Sequence, residues 1–247
     1  MRASKTLSAL SWQPVGVVDS PYRQKFAIPR QPNLVPEVCG RIIFYPQFSD
    51  LNMLRQIEEF SHLWLLFYFH ATAAKGWSPT VQPPRLGGKT RVGVFASRSP
   101  FRPNSIGMSV VKNRGYHQCD GKTVLEVGGL DLLDGTPIID VKPYLPYADA
   151  ITGATSGYAA PPPTAKLDVE FSPTARSQLE SLQNSHPGLA AILESILGQD
   201  PRPAWRVKEG DSKQYGLSLY DLNIKWRLQG SHIEVLSVSR PLDGQSK

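Results

Sequence analysis

Between Val15 and Val141 the apolar positions fall in short runs punctuated by Gly, Pro and Asp. The runs are Val15–Val18, Cys39–Tyr45, Leu63–Phe69, Val92–Ala96, Ile106–Val111, Val124–Leu130 and Pro137–Val141. Their length and spacing predict strands of an all-β barrel or sandwich. Leu63–Phe69 is apolar on both faces, which predicts a central strand buried on two sides. Asp50–Glu59 interrupts the series as a short helix capped by Ser49 or Asp50.

From Ala148 to Pro163 the chain turns to Gly, Ala, Thr, Ser and Pro, a linker or mobile surface loop. Ser172–Leu197 then reads as helix, with Ser172 as N-cap, Pro173 in the first turn, and a split into two helices at His186-Pro187-Gly188. Alternating runs at 216–223, 223–227 and 233–238 predict a small antiparallel sheet. The expected architecture is therefore mainly β: a β-barrel domain over 12–150, a linker or loop over 151–165, and a smaller α+β domain over 166–247. No long helices alternate with the strands and there is no G-x-G-x-x-G, which disfavours a doubly wound nucleotide-binding fold.

Charge sharpens this picture. Residues 1–110 hold 13 Lys and Arg against 5 Asp and Glu, a net +8, whereas 111–247 hold 14 against 16, a net −2. The imbalance favours an anionic partner for the first half, nucleic acid ahead of phosphate-bearing metabolites. Cys39 and Cys119 are too few for a disulfide framework, and neither they nor the five histidines have metal-ligand spacing, so no metal is expected. Met1–Trp12 lacks the apolar stretch of a signal sequence, and the longest apolar run is far short of a membrane span, so a soluble cytoplasmic protein is expected.

Two proline-stiffened cationic loops stand out, Ser20–Pro32 and Ser97–Gly107. Proline fixes φ and pushes the preceding residue to extended geometry, so the arginines ride on a stiff backbone. Pre-organised guanidinium groups suit anions. Arg85–Phe95 carries Gly87-Gly88 flanked by Arg85, Lys89 and Arg91, either a phosphate-contacting turn or a plain hairpin. Asn104 beside Pro103 could read a base edge or position a nitrogen, or only form a turn. Asp131, Asp134 and Asp140 lie in an otherwise apolar segment, although Asp134-Gly135 is also a turn signal. His70 closes the Leu63–Phe69 run. Asp200-Pro201-Arg202-Pro203-Ala204-Trp205-Arg206 again stiffens two arginines and adds Trp205, which could stack on a base or fill a core. These residues leave open an enzyme acting on RNA, a noncatalytic RNA-binding module, an enzyme acting on a small anionic metabolite, and a structural interaction protein.

At Ser20–Pro32, Glu59–Trp64, Pro83–Gly88, Phe101-Arg102-Pro103-Asn104, Asp131–Tyr144 and Asp200–Arg206 the chain resembles the TsaA-like (TrmO or YaeB type) family of S-adenosylmethionine-dependent tRNA methyltransferases. The resemblance spans nearly the whole chain. Ser97 stands where Thr is usual, and Ser105 where Pro is usual. It implies N6-methylation of N6-threonylcarbamoyladenosine at position 37 of tRNA, and a β-barrel, commonly dimeric fold that is not Rossmann-like. It places the methyl-donor site on Pro29, Arg30, Gln31, His70, Ala71, Arg98, Val110, Leu130, Asp131, Leu132 and Leu133. In this reading Asn104 orients the N6 region and Asp134 accepts the proton. Lys25, Arg85, Lys89 and Arg91 meet tRNA phosphates, Arg102 or Arg206 pairs with the threonyl carboxylate, and Arg202 joins the tRNA surface.

Overall fold

The computed structural model describes residues 11–160, 167–202 and 213–241. In chain order the first strands are β1 (Gly16–Asp19), β2 (Cys39–Phe44), β3 (His62–Tyr68), β4 (Thr80–Val81), β5 (Val92–Gly93), β6 (Ile106–Cys119), β7 (Lys122–Gly128) and β8 (Pro137–Pro143). All but β4 and β5, which pair only with each other, form one antiparallel sheet in the order β1-β2-β7-β6-β3-β8. Strand β8 bonds to β3 on one side and to β1 on the other, so the sheet closes on itself. Its interior is filled by alternate residues of each strand, such as Ile42, Leu63, Leu65, Val111, Leu125 and Ile138, all fully buried.

Strand β3 departs from expectation. Only Leu63, Leu65 and Phe67 point inward, whereas Trp64, Leu66 and Tyr68 are half-exposed on the outer face. There they stand opposite Val110, Met108 and Ile106 of β6, leaving an apolar outer face on two neighbouring strands. Val92–Ala96 is strand only over Val92–Gly93, and Val94–Ala96 forms a 3-10 turn around buried Val94. The expected helix over Asp50–Glu59 is replaced by two 3-10 turns, Leu51–Leu54 and Ile57–Glu59, although Asp50 caps the first by accepting the Asn52 amide as anticipated. Between them Gln56 adopts φ 66°, and this break lets Leu54, Ile57 and Phe60 all reach the barrel-side core.

Two short helices, α1 (His70–Ala73) and α2 (Pro146–Asp149), belong to the first part of the chain. After residue 166 come β9 (Asp168–Phe171), α3 (Pro173–Leu182), α4 (Leu189–Leu197), β10 (Gln214–Leu219), β11 (Leu222–Gln229) and β12 (His232–Ser239). The Ser172 cap and the break at Gly188, with φ 75°, lie where the sequence indicates. The sheet order is β10-β11-β12-β9, with β9 parallel to β12, a strand the periodicity did not reveal.

The apolar core of this second sheet is not built from the second part alone. Tyr22, Val35 and Val38 are buried in it beside Trp226 and α4. Pro21 O accepts the Tyr220 amide at 2.8 Å, and Leu34 O accepts from Gln199 Nε2 at 3.0 Å. Of the expected linker, Tyr158 Oη donates to Ala96 O and Ala159 O accepts from Arg85, so the stretch before residue 160 lies against the β4–β6 excursion. Pro161–Pro163, Trp205 and Arg206 fall outside the described residues.

Candidate functional site

Strand β3 ends at Tyr68, and Phe69 and His70 turn the chain into α1. The Phe69 amide donates to Ser105 O at 2.8 Å, which fixes that corner against the Ser97–Gly107 loop. Around it lies a cavity of about 260 Å³, lined by residues 28–32, 67–72 and 131–133 together with Lys25, Arg98, Pro100, Met108 and Thr136. The 29–32 segment is held there by Asn33. Its amide donates to Gly129 O at 2.9 Å and its Nδ2 to Val110 O at 3.0 Å, the carbonyl of β6 that faces away from β3. Gly129 sits at φ 68°, and a Cβ there would lie 2.2 Å from Asn33 Oδ1. Only glycine permits both the backbone and the approach.

The cavity is cationic with a single carboxylate among its described lining residues. Lys25 Nζ donates to Ala71 O, and Arg98 Nη1 donates to Gln31 Oε1 at 2.6 Å. Asp131 Oδ1 accepts from the Ser109 hydroxyl. Burial pushes the Asp131 carboxyl up from 3.8 to about 6, outweighing the Ser109 bond, its own amide and the Arg98 charge. Burial, then the nearby Lys25 ammonium, lowers the affinity of His70 for a proton. At neutral pH the cavity therefore offers fixed cations, a carboxylate that is mostly ionised, and a neutral imidazole able to take up a proton.

A larger groove, about 1250 Å³, opens beside the cavity and shares Ile28, Pro29, Arg30, Gln31, Arg98 and Pro100 with it. Its other walls are β4, the Pro83–Arg85 turn, Arg91, the 95–101 loop, residues 155–159 and the end of α4 with Asp200. Four arginines (Arg30, Arg85, Arg91 and Arg98) face one aspartate among its described lining residues.

Of the residues expected at a donor site, Pro29, Arg30, Gln31, His70, Ala71, Arg98, Asp131, Leu132 and Leu133 line the cavity. Val110 and Leu130 do not: Val110 acts through its carbonyl on Asn33, and Leu130 is packed in the core. Lys25, expected on RNA phosphates, lines the cavity instead. Arg85 and Arg91 line the groove, Arg91 braced by Thr80 through its Nε at 2.8 Å. Lys89 is exposed near them.

Several of the expected residues lie away from the cavity or are engaged elsewhere. Asp134 does not line the cavity; its Oδ1 accepts the Ser20 amide at 3.0 Å and its Oδ2 accepts from Arg23 Nη1. Its carboxylate staples the 20–32 loop to the turn before β8, which leaves it poorly placed to receive a proton from a substrate. Arg102 commits Nη1 to Ser97 O at 2.7 Å and lies over the Phe95 ring, so it ties the loop together. Arg202 is buried and forms a fork to both Asp200 oxygens, each bond 2.7 Å, which removes it from any RNA surface. Asn104 is exposed on the turn closed by the Ser105 amide to Arg102 O, and it lines neither cavity nor groove. Ser105 sits at φ 48°, a conformation closed to proline, so this turn differs from one that carries proline there.

Ser109, Asn33 and Phe67 are cavity-shaping residues that sequence reasoning did not single out. Ser109 could have been noticed as a polar residue at an inward position of β6, and Asn33 through Gly129, which it packs against.

The family model of the tRNA-methyltransferase O N-terminal domain matches residues 17–150, and that of the TrmO C-terminal domain matches 164–241. A tRNA (adenine(37)-N6)-methyltransferase of Escherichia coli is 44% identical over 94% of this chain and 99% of its own. A Pseudomonas aeruginosa protein with the provisional name S-adenosylmethionine-dependent methyltransferase RcsF is 45% identical over 87% of this chain and 91% of its own. The crystal structure of TrmO from Pseudomonas aeruginosa superposes with a TM-score of 0.78 at 39% identity, covering 94% of this chain and 99% of that one. With both family models matched in order and relatives aligned over most of both chains, the chain belongs to the tRNA-methyltransferase O (TrmO) family.

Proposed function

We propose that the protein is an S-adenosylmethionine-dependent methyltransferase that adds a methyl group to N6 of N6-threonylcarbamoyladenosine at position 37, in the anticodon loop of tRNA. The observation that carries this reading is the junction of the two hollows: a small cavity with cations and one carboxylate opens directly into an arginine-lined groove. The names of the relatives in Escherichia coli and Pseudomonas aeruginosa support the donor and the nucleic-acid class. In this reading residues 12–150 form a barrel methyltransferase domain and 166–247 a supporting domain.

The donor set suits a zwitterion that also carries a sulfonium. Lys25 and Arg98 would hold the carboxylate, Asp131 the cationic groups, and Pro29, Leu132 and Leu133 the apolar parts. When bound, S-adenosylmethionine supplies an electrophilic methyl group. The protein's share is alignment, since nucleophile, methyl carbon and sulfur must approach collinearity. The acceptor nitrogen belongs to a urea and must shed its proton. His70, kept neutral by burial and by Lys25, takes over the role that the sequence suggested for Asp134. Arg30, exposed and shared by cavity and groove, would pair with the threonyl carboxylate, a charge-assisted contact of about 1.5–3 kcal/mol.

The protein is further read as a cytoplasmic homodimer. The outer face of β3 and β6, with Trp64, Leu66 and Met108, is the apolar surface that a second copy would cover. Met108 also lines the cavity, so such a partner would border the site. Light scattering should give twice the chain mass; a monomer at working concentration removes this part of the reading.

The decisive experiment incubates the purified protein with S-adenosylmethionine and tRNA from cells lacking the enzyme, then digests the tRNA and weighs its nucleosides. One added methyl on threonylcarbamoyladenosine is expected. Donor binding without that product would move the substrate elsewhere, and loss of donor binding as well would favour a noncatalytic RNA-binding module.

A further inference from the structure

Phe95 is the one phenylalanine among the described residues left exposed, at 78% of its surface, and it stands on the wall of the groove. Its position is not that of a loose loop side chain. The preceding Val94 is buried, its amide donates to Pro79 O at 3.0 Å, and its carbonyl accepts from the Ser97 amide, Ser97 Oγ and Arg102 Nη1. The backbone is thus pinned on both sides while the ring projects outward. Arg102 lies over the ring, with Cζ 5.8 Å from the centroid. A guanidinium on one side orients the ring and leaves the opposite π-face available.

An apolar ring held in water on a groove that Arg91 and Arg98 also line does nothing for the barrel core. A rigid aromatic face set in a cationic groove is the pairing that captures single-stranded nucleic acid: cations follow the backbone while the ring stacks on a base. A base inside a duplex has no free face, so the ligand must be unpaired. The groove also shares Pro29, Arg30, Gln31, Arg98 and Pro100 with the cavity, so a base on Phe95 belongs to a nucleotide close to the one entering it.

We infer that Phe95 is a stacking platform for an unpaired nucleobase flanking the target adenosine. The inference rests on the tRNA reading above and adds a specific contact to it. Recognition through the π-face tolerates any base at that position.

The test compares wild type with Phe95→Ala, Phe95→Leu and Phe95→Trp in binding an anticodon stem-loop RNA, with donor affinity, melting temperature and methylation measured in parallel. Phe95→Ala should weaken RNA binding about tenfold, Phe95→Trp should return it to within about twofold of wild type, and Phe95→Leu should stay near the alanine value. Donor affinity and melting temperature should not move, because Phe95 does not line the donor cavity and belongs to neither apolar core.

RNA affinity of Phe95→Ala within twofold of wild type overturns the inference. So does equal rescue by Leu and Trp, which would mean a simple apolar contact, and so does a wild type that binds no RNA. Dissociation of a dimer by Phe95→Ala with RNA binding intact would assign the ring to an interface between copies instead. The two readings fail separately: RNA binding that depends on Phe95 without methylation removes only the proposed reaction, whereas methylation indifferent to Phe95→Ala removes only the platform.

Discussion

Replacing Asp131 by asparagine is expected to raise the stability of the protein while weakening its hold on the methyl donor. The unfolded chain titrates this carboxyl at its ordinary 3.8, the folded protein at about 6. The native state therefore binds the proton more tightly, and ionisation above pH 6 works against folding. About two pH units at roughly 1.4 kcal/mol each amount to about 3 kcal/mol as an upper figure. The cost is absent below pH 3.8, grows between 4 and 6, and is fully present above about 7. Asparagine keeps the carbonyl oxygen that accepts from Ser109 and discards the charge. The stability difference between variant and wild type, from urea unfolding at pH 5 and pH 8, should thus favour the variant by about 1–3 kcal/mol at pH 8, and by less at pH 5. Calorimetric titration with S-adenosylmethionine at pH 8 should meanwhile show at least tenfold weaker binding, about 1.4 kcal/mol, because the carboxylate proposed to face the cationic donor is gone. A variant no more stable than wild type at pH 8, or a gain that is the same at both pH values, would refute the assignment of a buried, ionising carboxylate. Unchanged donor affinity would refute its placement against the cation.

Gly129→Ala should destabilise the protein by about 2–4 kcal/mol, combining left-handed backbone strain with loss of the Asn33 bonds. The same change in an Asn33→Ala background should cost less, and equal costs in urea titrations would exclude the contact as the cause. Asp134→Asn should keep kcat within about threefold and shift mainly the melting temperature, by the loss of the Arg23 pair; a kcat falling a hundredfold or more would restore Asp134 as the proton acceptor. RNA affinity should fall steeply with salt, and Arg91→Ala should lower the slope of log Kd against log salt by about 1. A slope unaffected by that change would take Arg91 off the phosphate path.

What was legible in the chain was what is local. Pro29-Arg30-Gln31, His70-Ala71 and Leu132-Leu133 each occupy consecutive positions on one turn or strand end, so a motif identifies them and the fold need only bring them together. The Ser172 cap and the Gly188 break were readable for the same reason. What was not legible depends on burial and on partners that the local sequence does not show. Asp134 reads as an available acid until Arg23, 111 residues away, takes its oxygen. Arg202 reads as a surface cation until burial commits it to Asp200. Strand β9 has four residues whose significance lies only in the parallel edge of β12. The doubly apolar β3 was recognised as such, but sequence alone did not reveal that its outer face stays half-exposed in a single chain.

The loop from Tyr22 to Val38 has an allegiance that its place in the chain conceals. It presents Pro29, Arg30 and Gln31 to the cavity, yet its own anchors, Tyr22, Val35 and Val38, are buried among residues that follow position 166. A cut near residue 160 would strip those side chains of cover and leave the loop held only by hydrogen bonds such as those of Asp134 and Asn33, even with every strand of the first sheet intact. The two halves are therefore poor modules for grafting. A chimera that borrows either one from a homologue must carry the matching 22–38 segment or its counterpart wall, and natural exchange between them faces the same constraint.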